Sequence, residues 1–421
     1  MAAAPRCAAK KVCNFAQKFR RGGGIFVFLW AAGRRLGTKY RRIAFESRAL
    51  NSKERHVQLT ARQERKLDLR RIGTHPDFWY PILWSDELKP GKARGCRFAG
   101  DPIVVYRGKS GTVFALEDRC AHRQVPLHLG VVQGETLKCG YHGWAYDRAG
   151  KCIDVPYLGR ERLPNGVRSY PAREVDGLIF IFPGDPSLAE ARAPASLGSM
   201  RDRRYKTRKL NREVACHYTF MHENLFDMNH QFLHRKEMGM IKATCLGRRQ
   251  GSDWCEVDYT FSRTAGRGTV GEAAILNVMR TKNQAANRDL MTIRTGYPYQ
   301  NLKVWVDGGE PVLDVWLAYT PLDREQRTNR TFGYLSVKRP KIPGLIQAAW
   351  PFITWFTERI FQEDKAIVES EQAAHDAQGA DWNNEVFPAI RDLRTVLARC
   401  GLPEPQAAAS ANAPAWASGA G

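Results

Sequence analysis

Four side chains in the first half of the chain are spaced as metal ligands. Cys120-Ala-His122 is followed, sixteen residues further on, by Cys139-Gly-Tyr-His142. Two thiolates and two imidazoles suit a tetrahedral zinc site, or an iron–sulfur cluster in which two His replace two Cys on one iron. Zinc fingers commonly pair Cys with Cys and His with His along the chain. Here each half contributes one of each, which supplies a two-Cys iron and a two-His iron from two loops. Gly and Pro around both pairs permit tight loop tips. His128 lies between the pairs at no ligand spacing and reads as a loop residue, and Cys152 stands outside the pattern.

A second set follows in Met221-His-Glu-Asn224-Leu-Phe-Asp227-Met-Asn-His230-Gln-Phe-Leu-His234. On one helix, Asp227, His230 and His234 stand at i, i+3 and i+7 and share a face. Two imidazoles a turn apart hold metals, and non-haem iron(II) oxygenases use two His and one carboxylate, leaving positions open. A polar helix face with incidental histidines is the plainer alternative, and His217 and His222 are rival donors. The carboxylate is expected far down the chain, where Glu363, Asp364, Glu369 and Glu371 are available. Treated as a helix, this stretch surrounds Asp364 with Ile360, Phe361, Ile367 and Val368. An ionised carboxylate on such a face is costly unless it is paired or binds a metal. Glu363 and Glu369 have Arg359 and Lys365 at i−4, so surface ion pairs are expected for them.

Arg123, Pro126, Leu127, Gly130 and Gly143-Trp144, with the Asn224-x-x-Asp-x-x-His-x-x-x-His run, resemble the Rieske-type non-haem iron oxygenases. The resemblance extends from about His75 to about Leu402, and the length and single-chain layout resemble the phthalate-oxygenase-like branch of α-type subunits. It implies a Rieske [2Fe–2S] cluster on Cys120, His122, Cys139 and His142. It also implies a mononuclear Fe(II) on His230, His234 and Asp364, since Glu363 to Glu369 is similar to the family's carboxylate region. Asp227 matches the residue that bridges a cluster His of one protomer to an iron His of the next, and Asn224 matches a residue beside the iron. Many members have one more residue between the two iron His. A respiratory-chain Rieske protein would carry an extra loop disulfide, whereas Arg123, Gln124 and Gly143 fill the neighbouring places.

The elements that must position these residues suggest an α+β chain. Short apolar runs broken by Gly, Asp and Pro between Pro102 and Phe182 predict antiparallel strands (Ile103–Tyr106, Val113–Leu116, Leu178–Phe182). The stretch from Pro183 to about Ser199 reads as a linker. Beyond it come a helical segment near 216–236, strands at Val304–Val306, Leu313–Tyr319 and Thr331–Val337, and a long helix from about 345 to 378. The expected division is a poorly ordered basic leader over 1–72, an antiparallel β Rieske domain over 73–185, a catalytic domain over 200–402 and a disordered tail over 403–421. The resemblance implies a helix-grip fold for the catalytic domain, a curved antiparallel sheet around a long helix.

The 421 residues carry a formal charge of +22, which could point to nucleic acid or a membrane surface. Up to Arg71 there are 19 Lys or Arg against four acidic residues, so about two thirds of the excess lies in the leader. No nucleic-acid-binding spacing accompanies it, and none is expected to bind. The apolar run Ile25–Ala32 falls short of the about 18–20 residues that span a bilayer. Arg20-Arg21 before it raises an export signal as an alternative, but no small-residue cleavage site follows. Ten scattered cysteines suggest a reducing, cytoplasmic setting.

No Gly-x-Gly-x-x-Gly follows a strand, so NAD(P)H is expected to act only through a separate reductase, with or without a ferredoxin. The resemblance also implies a homotrimer. The leading function is an oxygenase that hydroxylates or demethylates a small aromatic or apolar substrate. A cis-dihydroxylating dioxygenase and a biosynthetic oxidative cyclase or desaturase use the same metals. A Rieske electron carrier would need only the first set of ligands.

Overall fold

The computed structural model describes residues 67–156, 158, 165–195, 197–265, 290–306 and 309–403. The Arg20-Arg21 and Ile25–Ala32 readings, the leader up to residue 66 and the tail from residue 404 lie outside them.

The apolar runs of the first part form the expected strands. Asp101–Arg107 buries Ile103, Val104, Val105 and Tyr106 on both faces, and it sits inside a four-stranded antiparallel sheet in the order 169–170, 113–117, 101–107, 93–98. A three-stranded sheet joins 172–175, 178–181 and 80–84. The third sheet, 131–133, 136–138, 145–146 and 152–154, is built from very short strands, and its loops present Cys120 to His142.

The second part is one seven-stranded antiparallel sheet in the order 205–214, 329–338, 311–321, 299–305, 290–296, 254–265, 240–250. Among the described residues four helices accompany it: α1 (Tyr218–Phe226), α2 (Arg235–Met238), α3 (Leu345–Gln378) and α4 (Pro388–Cys400). Side chains alternate across a strand, and both faces of Pro311–Pro321 are covered. Val315, Leu317 and Tyr319 pack with Ile353 and Phe356 of α3 and Leu393 of α4. Trp316 and Ala318 face the other way, onto Trp84, Phe180 and Phe182 of the three-stranded sheet. That double burial makes the strand a near-continuous apolar run rather than an alternating one.

Three expectations about connections change. Pro183–Ser199 is not a loose linker. Ala189 and Leu197 are buried in the shared core, Trp79 Nε1 donates to Ala189 O at 2.9 Å, and Leu197 N donates to Asp176 Oδ2 at 2.7 Å. The basic leader does not extend to residue 72, because Leu69 is fully buried, Arg70 is 6% exposed, and Ile72–Gly73 pairs with Leu402–Pro403. The helix expected over 216–236 is interrupted. α1 stops at Asp227, whose φ of −89° and ψ of 93° are extended, and a 3-10 turn, Met228–Phe232, follows before α2.

Candidate active site

The cluster loops are built from their own backbone. Cys120 N donates to Val125 O at 2.9 Å, and Cys139 N donates to Trp144 O at 2.8 Å. Gly143 has a φ of +74°, which favours glycine, and a Cβ on Gly130 would meet Lys138 O at 2.0 Å, so the loops close on each other there. Cys120 and Cys139 are buried, while His122 is exposed. The His122 and His142 rings stand 4.7 Å apart, and His122 stacks on Trp144 at 4.8 Å. The thiols of Cys120 and Cys139 are neighbours. A tetrahedral zinc would draw all four to one point, whereas a two-iron cluster takes the sulfur pair and the imidazole pair separately.

Burial pushes the Cys139 thiol up, the Tyr141 backbone opposes this, and the adjacent Cys120 adds to it. Loading a cluster therefore has to displace protons. Partial desolvation, then the neighbouring His122 and Arg123, lower His142. Cys120 Sγ and the Tyr146 hydroxyl are 3.2 Å apart. His128 is held outside the donor set: its backbone N donates to Asp118 Oδ1 at 2.8 Å and its ring pairs with the same carboxylate. Cys152 is buried nearby as a free thiol.

The second set converges in space. One ring nitrogen each of His230 and His234 and one oxygen of Asp364 lie within 4.8 Å of one another. His234 Nε2 is 3.2 Å and His230 Nε2 3.7 Å from Asp364 Oδ1. The His234 Nε2 and Asp364 Oδ1 atoms are buried and have no hydrogen-bond partner. Such orphaned polar atoms, aimed at one another from the N-cap of α2 and a distant helix, fit a cation between them. Burial acts to lower the His234 pKa, but Asp364 and then Glu363 outweigh it, and the net shift is upward.

Glu363 is the residue the sequence pattern misplaced. Its Oε2 lies 2.8 Å from His234 Nδ1, while Arg359 instead pairs with Glu237 at 2.6 Å. A carboxylate on Nδ1 fixes the tautomer that leaves Nε2 free for a metal. Glu369 does pair with Lys365, at 3.7 Å, and also accepts from Ala215 N at 2.9 Å. The apolar face around Asp364 is only partly buried: Val368 is fully buried, but Ile367 is 40% exposed. Asp227 caps the 3-10 turn by accepting from Asn229 N at 2.8 Å, so it stands at a chain break and not on a helix face with the two His.

Asn224 and Asp364 line a cavity of about 40 Å³ together with Met221, Leu225, Tyr319 and Phe361. A larger cleft of about 520 Å³ is lined by Asn224, Asp227 and His230 among others. His217 and His222 stand apart from the donors. Both are buried and held neutral by burial, His222 at about 3, with the rings of Tyr218 and Tyr319 around it.

Residues 78–171 match the family described as the Rieske [2Fe-2S] domain, and residues 214–389 match the vanillate O-demethylase oxygenase C-terminal domain. The chain is 30% identical over 346 residues to the 4β-methylsterol monooxygenase of Methylococcus capsulatus, covering 78% of this chain and 89% of that protein. It is 38% identical over 300 residues to the oxygenase component of dicamba O-demethylase from Stenotrophomonas maltophilia, covering 69% and 86%. The chain belongs to the Rieske non-haem iron oxygenases. A crystal structure of dicamba monooxygenase bound to 3,6-dichlorosalicylic acid superposes with a TM-score of 0.62 at 25% identity, covering 77% of this chain and 98% of that one.

This Rieske oxygenase is an oxidoreductase with a [2Fe–2S] cluster and a mononuclear iron, and a separate reductase supplies its electrons. When bound, the cluster supplies electrons one at a time and the mononuclear iron supplies oxygen chemistry beside the substrate. No helix among the described residues is long and apolar enough to cross a membrane.

Proposed function

We propose that this oxygenase inserts one oxygen atom into a small aromatic or apolar substrate, with O-demethylation as the leading reaction. The observation that carries this is the meeting of His230, His234 and Asp364, with unpartnered atoms facing inward, beside a small, mostly apolar cavity that Asn224 also lines. Dicamba O-demethylase and the methylsterol monooxygenase are named for single-oxygen chemistry, which favours monooxygenation over dihydroxylation. In a demethylation, an aryl methyl ether, O2, two electrons and two protons give the phenol, formaldehyde and water.

In this reading Cys120, His122, Cys139 and His142 hold the cluster, and His230, His234 and Asp364 hold the iron. Glu363 orients His234. Asn224 lies beside the iron and Asp227 carries the link between the two centres. The cluster domain corresponds to about 73–185 and the catalytic domain to about 200–402, and the working compartment is the cytoplasm.

The assembly is a homotrimer in which the cluster of one protomer faces the iron of the next. Exposed apolar side chains support it at both ends, with Leu129 and Tyr141 on the cluster loops and Phe232 and Ile367 in the cleft that His230 lines. Among the described residues of one chain, no hydrogen bond or ring contact joins the two sets of ligands. Anaerobic reduction with a surrogate reductase, then a screen of aryl methyl ethers and other apolar compounds for O2 uptake matched by formaldehyde or hydroxylated product, tests the function. Cluster reoxidation with no substrate-dependent O2 uptake across that screen would favour an electron carrier instead.

A further inference from the structure

The end of the basic segment, Asp68 to Arg71, is a staple between the elements that carry the iron site. We infer that Arg70 is a positioning residue for the oxygenase reaction: its buried guanidinium holds α1 in register and thereby sets where Asn224 and Asp227 stand. This rests on the roles proposed above for those two residues and for Asp364.

Arg70 contacts one turn of α1 at three positions. Its Nη1 donates to Thr219 Oγ1, its Nη2 donates to Glu223 Oε2, and its guanidinium lies 3.3 Å from the centroid of the Phe220 ring. The second Glu223 oxygen accepts from Arg394 Nη1 of α4 at 2.6 Å, and Arg394 also pairs with Asp381. Asp68 accepts from Arg70 N at 2.9 Å and places its other oxygen 3.1 Å from His375 Nε2, on α3 beyond Asp364. A three-residue 3-10 turn thus ties α1, α3 and α4 together.

Both terminal nitrogens of the Arg70 guanidinium are bonded to α1, and its buried Nε has no hydrogen-bond partner. The Arg70 side chain is 2% exposed and that of Glu223 13%, so a displaced α1 would leave a buried charge unpaired. α1 is nine residues long and breaks at Asp227, immediately after this turn, so it has little internal stiffness of its own. Glu223 is adjacent to Asn224 and one turn before Asp227, which makes the ion pair the nearest fixed point for both. A guanidinium fork constrains direction as well as charge, which a lysine does not.

The test uses the full-length, metal-loaded protein with Arg70→Ala and Arg70→Lys. In Arg70→Ala the visible absorption of the cluster and the mononuclear iron content stay at wild-type levels. The electron paramagnetic resonance line shape of the iron–nitric oxide adduct changes. The kcat falls roughly tenfold to a hundredfold, as a small misplacement of reacting groups produces, with less effect on KM and with fewer products per O2 consumed. Millimolar guanidinium restores part of the coupling, and Arg70→Lys lies between. Unchanged kcat and line shape overturn the inference whatever happens to KM. Loss of cluster, iron and folded protein in both variants, with no rescue by guanidinium, also overturns it in favour of plain structural support. Failure of the ligand assignment would show itself separately, as mononuclear iron retained in Asp364→Ala.

Discussion

The two candidate metal sites are built in opposite ways. The ligands proposed for the cluster lie within one short stretch, Cys120 to His142, on loops closed by their own backbone hydrogen bonds, with the His122 edge open to solvent. The proposed mononuclear site joins a 3-10 turn, Met228–Phe232, and the N-cap of α2 to a helix far down the chain, and its inner atoms are buried. An exposed imidazole edge suits electron entry from another protein, while an enclosed carboxylate and His pair suits chemistry that must exclude water. The first site is a local module. The second depends on the surrounding fold, so its function is open to damage from a distance.

Substitutions at the two sites should separate most strongly for the ligands themselves. Asp364→Ala removes the mononuclear iron and lowers product formation more than a hundredfold, about 3 kcal/mol or more of barrier, while the cluster keeps its visible absorption. Iron analysis beside an absorption spectrum checks this, and lost cluster colour with full mononuclear iron would reverse the assignment. Asp227→Asn keeps both metals but uncouples cluster oxidation from product, by about tenfold to a hundredfold for a lost orienting hydrogen bond. Single-turnover kinetics reads it, and unchanged turnover would remove the bridging role.

Smaller effects sharpen the contrast. Glu363→Gln weakens iron binding roughly tenfold in a chelator competition. In the metal-free protein it also removes part of a pH-dependent stability. The folded-state pKa of His234 is raised, so the contribution of its charged form is complete below the ordinary value near 6.5 and is lost as pH rises through the raised value. The gap in thermal midpoint between wild type and Glu363→Gln should therefore be widest in mild acid and close toward alkaline pH. A gap that widened with pH would contradict the pairing. Tyr146→Phe removes the hydroxyl from Cys120 Sγ. If that hydrogen bond favours the reduced cluster by about 1 kcal/mol, the potential drops by roughly 40 mV for one electron, measurable by redox titration with the iron site unaffected.

Much of this contrast is legible in the residues. The Cys-x-His and Cys-x-x-His pairs are readable because every ligand is close in sequence and glycine marks the turns. Asp364 is readable because an acid among Ile360, Phe361 and Val368 needs a reason to be there, although Ile367 is exposed rather than part of a sealed stripe. The helix over Leu345–Gln378 follows from its length. Glu363 is misread because a local i−4 arginine offers a partner that tertiary structure reassigns to Glu237. Asp227 is misread because a helical spacing does not reveal that its own side chain caps a new turn. Arg70 was hidden by its neighbours: in a run so rich in arginine and lysine, nothing local distinguishes the one that is buried.

The sequence by itself determined the candidate ligand types, the glycine-marked loops that carry them and the strand and long-helix pattern, because these depend on short-range spacing, turn chemistry and hydrophobic periodicity. Only the tertiary structure decided which carboxylate orients His234, where α1 ends, and that Pro183–Ser199 and Leu69–Ile72 belong to the packed body. Those outcomes are settled by burial. A charged or polar group removed from water takes whatever partner the fold brings within reach, and sequence distance has no say in that choice.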